Sequence, residues 1–241
     1  MKKIISGLLV LTGLISLTSC SNKSEITYEE AVDFLEEASK NRDYWLKTVT
    51  EKVTATEKID GKTTLGTSLG HIDFDYEYMD VKDGPDLVVM GHEDGEYYVI
   101  SEGEKQYFSQ SVWAQSYDAA VSIITLLLDV VTLLDVSGIG LNDLVDVLIE
   151  SSFTYSGTTV KYYKVSNNLR IEFVILDIDE YEGFEKAQIE INPQGFLSKV
   201  NQQVHYYKGE EIDGSKHDVD EKDEVKTVYT YNKEIKRITK A

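Results

Sequence analysis

Hydrophobic and polar positions change their period three times along this chain. Thr27-Tyr28-Glu29-Glu30 reads as a capping box: the Thr27 hydroxyl and the Glu30 carboxylate each satisfy an amide that a helix start leaves bare. The helix predicted from there to about residue 41 carries Ala31, Val32, Leu35 and Ala38 on one face, with Glu29, Asp33, Glu36 and Glu37 outside. A two-residue period follows. Val49, Val53, Ala55 and Ile59 share a parity in a Thr- and Lys-rich run ending at Asp60-Gly61. In His71–Met79, Ile72, Phe74, Tyr76 and Tyr78 point one way while His71, Asp73, Asp75 and Glu77 point the other, the signature of a half-buried antiparallel strand. Leu87–Met90 and Tyr97–Ile100 flank the turn Glu93-Asp94-Gly95, and a further strand, Lys105–Ser109, follows Glu102-Gly103.

From Ser111 to Val136 there is neither proline nor glycine, and the period returns to that of a helix. Ser122, Thr125, Asp129, Thr132 and Asp135 form one polar stripe, expected to face solvent or a polar lumen, and the residues between are aliphatic. Two aspartates within so short an apolar stretch argue against a membrane span, so the helix is expected to be almost surrounded by protein or by a greasy ligand. Ser137-Gly138-Ile139-Gly140 ends it, and a second amphipathic helix is predicted over Leu141–Glu150. Strands resume at Val160–Val165 and Leu169–Leu176 around Asn167-Asn168. Ala187, Ile189 and Ile191 alternate with polar residues up to the turn Asn192-Pro193-Gln194-Gly195. Phe196–Tyr207 and the run Val225, Thr227, Tyr229, Tyr231 complete the set, on either side of an acidic loop at 209–224. The expected fold class is α+β: a curved antiparallel sheet around a hydrophobic central helix, with an N-terminal amphipathic helix.

The first twenty residues have a different character. Met1-Lys2-Lys3 is a positive n-region, and Ile4–Leu17 is an apolar stretch too short for an ordinary span. Leu17-Thr18-Ser19-Cys20 resembles the lipobox of bacterial lipoprotein precursors. That resemblance implies cleavage before Cys20, a diacylglyceryl group on its sulfur, and residence at the extracytoplasmic face of a membrane through two or more acyl chains. The organisation expected is a signal peptide at 1–19, a lipidated tether at 20–26 and one α+β domain at 27–241.

Charge and cysteine content narrow the functions. Asp and Glu number 43 against 24 Lys and Arg, a net charge of −19 that becomes −21 once Lys2 and Lys3 leave with the signal peptide. Such a polyanion is repelled by phosphate backbones, which excludes a nucleic-acid partner. Cys20 is the single cysteine, so neither an intrachain disulfide nor a cysteine-based zinc site can form. His71, His92, His205 and His217 are scattered without ligand spacing, and no nucleophile elbow, phosphate loop or dinucleotide fingerprint occurs. Asp177–Gly183 begins like a calcium loop, but its glycine is one place late and Gln188 stands where the bidentate glutamate belongs. No enzyme, metal or cofactor is expected.

The order of elements is similar to that of the periplasmic lipoprotein-carrier (LolA-like) fold: helix 28–41, strands 45–109, helices 111–150, and strands 153–238 with the Asn192–Gly195 hairpin. The resemblance covers nearly all of the chain after the anchor and implies a half-barrel whose concave face accepts acyl chains. On it, a hydrophobic ligand or lipid is expected between the sheet and helix 111–136, beside Trp113, Ile123, Leu127, Val131 and Leu134 with Phe74 and Tyr76 opposite. The alternative is a ligand-free module in which that helix fills the core and the tyrosine-rich sheet docks another envelope protein.

Overall fold

A computed structural model of the chain describes residues 23–40, 46–59, 61–148, 157–176, 184–206, 211–212, 215–216 and 221–239. The signal segment, Cys20, the calcium-like segment 177–183 and His217 lie outside them. In chain order the elements are β1 (Lys23–Ile26), α1 (Tyr28–Lys40), β2 (Thr48–Ile59), β3 (Lys62–Asp73), β4 (Tyr78–Asp83), β5 (Asp86–Glu93), β6 (Glu96–Ser101) and β7 (Glu104–Phe108). Then come α2 (Gln110–Leu128), α3 (Val130–Ser137), a 3-10 turn (Leu141–Asp143), α4 (Leu144–Leu148), β8 (Gly157–Val165), β9 (Asn168–Leu176), β10 (Phe184–Ile191) and β11 (Leu197–Tyr206). Among the described residues, the short β12 (Glu211–Ile212) and β13 (Ser215–Lys216) pair only with each other, and β14 (Glu221–Tyr231) is the last strand.

Twelve strands form one open, wholly antiparallel sheet in the order β1-β8-β9-β10-β11-β14-β2-β3-β4-β5-β6-β7. β14 joins the two halves, with β11 on one side and β2 on the other. β1 extends the far edge, so Lys23–Ile26, expected within the tether, belong to the sheet.

One face of the sheet collects the core. Across β8, β9, β10 and β11 the register aligns Tyr162, Ile171, Ile189 and Val200, and the row continues as Thr227 and Val53 on β14 and β2. Ile171, Phe173, Ala187, Ile189 and Ile191 are sealed from solvent. Each such aliphatic or aromatic side chain contributes about 1.5–3 kcal/mol by leaving water. Ala31, Leu35 and Ala38 of α1 and Leu144 and Val145 of α4 join the same cluster, which places these helices over that face. The capping box forms as expected: the Thr27 amide donates to Glu30 Oε2 at 2.8 Å and the Glu30 amide to Thr27 Oγ1 at 3.2 Å.

On the opposite face, Arg170 donates through Nε and Nη2 to Glu190 at 3.0 and 2.8 Å, and Lys23 meets Glu172 at 2.7 Å. A second small core sits there on β4–β6, where Tyr78, Val89, Tyr98 and Ile100 are covered by Ile235 and Ile238 of the C-terminal segment. Tyr78 fixes that segment, accepting from the Ile238 amide at 2.9 Å and donating to Asp80 at 2.7 Å.

Two expectations are corrected. The strand read at His71–Met79 is two strands: β3 ends at Asp73, residues 74–77 turn, and β4 begins at Tyr78. Ile72 faces the main core while Tyr78 faces the small one, so the apparent alternation ran through a tight turn with Glu77 at φ 47°. The long helix is likewise two. Asp129, at φ −89° and ψ 85°, breaks it and bridges in β fashion to Phe196. The Asp129 carboxylate caps α3, accepting from the Thr132 amide at 3.1 Å and hydroxyl at 2.8 Å. A short acidic side chain that caps a backbone amide and a hydroxyl of the next turn stabilises a new helix start.

Nor is the helix enclosed. α2 lies down on the sheet through Trp113, Tyr117 and Leu128, yet only 17% of its most apolar 18-residue stretch is buried. By length and composition alone it could cross a membrane. Among the stripe residues, Thr125, Asp129 and Thr132 are half-buried while Ser122 and Asp135 are exposed.

Candidate functional site

Between the sheet and the helices lies an apolar cavity of about 290 Å³. Its floor comes from the inward positions of five adjoining strands: Val49 and Glu51 on β2, Gly70 and Ile72 on β3, Met79 and Val81 on β4, Thr227 and Tyr229 on β14, and Leu197 and Val200 on β11. Its roof is Ile124, Leu127 and Leu128 of α2 with Val147 and Leu148 of α4. α1 meets the sheet at β8, while α2 starts on β6, where Trp113 donates to the Tyr98 carbonyl, and the cavity lies over the strands between them. Over β14, β2 and β3 the inward row is Thr227, Val53 and Ser68, and at Gly70 there is no side chain to meet the helices.

Polarity inside the cavity is concentrated at one place. Glu51 takes an inward position between Val49 and Val53, opposite Tyr229 on one neighbouring strand and Gly70 on the other. The Tyr229 phenol donates to the Glu51 carboxylate, and burial first, then that carboxylate's charge, push the phenol well above its ordinary pKa. A Cβ built on Gly70 would sit 3.5 Å from Glu51 Oε2 and 3.7 Å from a Val81 methyl. Gly70 is therefore a notch flanked by a carboxylate and an aliphatic side chain. His71 also borders the cavity, but its Nδ1 lies 3.0 Å from the buried Asp80 carboxylate on the other face.

Of the seven residues expected at the ligand, Leu127 lines this cavity. Trp113 is buried at the start of α2, stacked on Tyr117 with 4.9 Å between rings, its indole N–H donating to the Tyr98 carbonyl at 3.3 Å. Ile123 is 62% exposed on the outer side of α2. Val131 and Leu134 border a separate groove of about 310 Å³ against α1. Phe74 packs at the edge of the main core. Tyr76 borders a larger groove, about 660 Å³, beside the C-terminal segment, with the Arg237 guanidinium 3.5 Å over its ring. That groove is lined by charged and phenolic groups. The residues missed were Glu51, Gly70, Val81 and Tyr229, and one signal pointed to them: a glutamate at an inward parity between two valines.

Titratable groups also gather at two other places. Glu57, Glu221 and Asp223 bring carboxylate oxygens within 4.8 Å of one another where β2 meets β14, so Glu221–Glu224, read as loop, are strand. Burial and the neighbouring Glu57 hold the Asp223 carboxyl above its usual range, and its Oδ1 is buried without a partner. Tyr162, which donates to Asn142, is pushed up to about 12, chiefly by burial.

No protein-family model matches the chain, and no curated protein matches it. Among solved structures, a LolA superfamily protein from Nitrosomonas europaea aligns over 86% of this chain and 94% of its own at 11% identity, with a TM-score of 0.25. A DUF1329 family protein from Desulfovibrio piger aligns over 87% and 95% at 10% identity, with a TM-score of 0.27. Superpositions this loose leave the function to the residues of the site.

Proposed function

We propose that this chain is a lipid-anchored extracytoplasmic lipoprotein whose domain binds a hydrophobic ligand, a lipid chain or an apolar small molecule, in the cavity between the β14-β2-β3 floor and α2. The observation that carries this reading is the cavity itself. The cavity is about 290 Å³ with a largely aliphatic lining, and pockets that take greasy ligands begin near roughly 300 Å³ and are mainly apolar. It is a binding protein in this reading and not an enzyme: the inward polar groups around the notch are Glu51, Thr227 and Tyr229, and His71 at the cavity edge is held by Asp80, a set that offers hydrogen bonds but no nucleophile paired with a base. The half-barrel carrier resemblance and the lipobox agree with it, the first by placing acyl chains on the helix-covered face, the second by holding the domain beside lipid.

A second reading, an envelope-protein interaction module, is favoured by Ile123 and Val136, which stand 62% and 72% exposed. Native mass spectrometry of the domain purified from a bacterial host separates the two. The proposal expects a co-purified apolar adduct that is lost when Gly70 is replaced by leucine. A domain that emerges bare, with wild type and Gly70→Leu indistinguishable, favours the interaction module.

A further inference from the structure

We infer that the cavity selects its ligand by headgroup, taking a single alkyl chain that ends in an ammonium and rejecting one that ends in a carboxylate. This inference rests on the binding reading above and sharpens it. Size sets the first limit. A cavity of roughly 150 Å³ holds one benzene ring, so about 290 Å³ suits one short chain rather than a several-chain lipid. Charge sets the second. Glu51 is the anionic side chain at an inward position on the cavity floor, and its phenolic partner Tyr229 supplies a hydrogen bond but no positive charge; His71 and Asp80, which also border the cavity, are engaged with each other at 3.0 Å on the other face. The inward positions around it are Thr227 and Val225 on β14, Gly70 and Ser68 on β3, and Val81 and Asp83 on β4. The nearby lysines Lys52, Lys82 and Lys226 take the alternate, outward parity. A carboxylate accepts at about four lone-pair positions, so the Tyr229 bond leaves room for more donors at the Gly70 notch. An ammonium there would be charge-paired at a half-buried carboxylate, whereas a second carboxylate would be repelled by Glu51.

The test is competition for a neutral apolar dye, N-phenyl-1-naphthylamine, on residues 21–241, which contain every described strand and helix. Decylamine and decanoate compete below their micelle concentrations at 0.15 M salt, where a Debye length of about 8 Å mutes the overall negative charge. The inference expects decylamine to bind about tenfold or more tightly than decanoate, the equivalent of about 1.4 kcal/mol. Glu51→Gln should close that gap. Val81→Lys, a cation set across the notch at a half-exposed position, should reverse it. Dye uptake with no headgroup preference, or a preference that survives Glu51→Gln, overturns the headgroup inference and leaves the cavity reading intact. Absence of dye uptake overturns the cavity reading instead.

Discussion

A Cβ added to Gly195 would stand 2.7 Å from Cγ2 of Val131, closer than real side chains approach. Gly195 also holds φ 83°, and its carbonyl accepts from the Val130 amide at 3.1 Å. The Asn192–Gly195 turn thus presses into the break between α2 and α3, where Asp129 bridges to Phe196. Gly195→Ala should cost about 1–2 kcal/mol from the left-handed backbone alone, and more from the clash. Val131→Ala in the same chain should recover the clash and leave the backbone cost. A double-mutant cycle in urea checks it: additive effects would separate the two residues.

Leu127 and Phe173 should respond very differently to truncation. Phe173 is sealed in the core, so Phe173→Ala should cost about 3–5 kcal/mol. Leu127 is 37% exposed at the cavity roof, so Leu127→Ala should cost less than the 2–5 kcal/mol or so of a filled core. Dye affinity should fall more in Leu127→Ala than in any exposed-face variant of α2, such as Ile123→Ala. Urea denaturation gives the first comparison and fluorescence titration the second.

What the sequence revealed follows from which signals are local. The capping box at Thr27, the turns at Asp94-Gly95 and Asn192–Gly195, and the inward parity of Val49, Ile189 and Tyr229 need only neighbours within a few residues, and all appear. The turn at 74–77 was hidden because alternation continued across it with no glycine to mark it. The break at Asp129 was hidden because its partner, Phe196, lies 67 positions on in the sequence. The cavity lies in the expected region, between the sheet and the long helix, but of the seven expected residues only Leu127 lines it. Which side of α2 meets the floor depends on that break, and the notch at Gly70 depends on register between β2, β3 and β4.

Asp223 should make stability depend on pH in a stated direction. Its folded pKa is raised by burial and by Glu57, so the folded state binds the proton more tightly than the unfolded chain. Its favourable contribution is therefore complete below the unfolded carboxylate pKa and is lost as pH rises through the folded value. Thermal melts should show Asp223→Asn gaining on wild type as pH rises from the acid range to neutrality. A gain that grows toward low pH instead would contradict the assignment.

Cys20 should carry the membrane attachment. In the producing bacterium, Cys20→Ala should leave an unprocessed or released protein that partitions away from the detergent phase. Wild-type-like membrane partitioning of Cys20→Ala would remove the lipid anchor from the account.

The central claim is an accessible apolar cavity over Glu51 and Gly70, and plugging it is the most direct measurement. Gly70 has ordinary β-strand geometry, and the space above it would accept a Cβ without a clash. Gly70→Ala should therefore fold and still take up N-phenyl-1-naphthylamine, while Gly70→Leu, which adds an isobutyl group at a cavity-lining position, should fold and lose the fluorescence rise. Equal dye binding by all three proteins would place the dye elsewhere and contradict the cavity as the binding site.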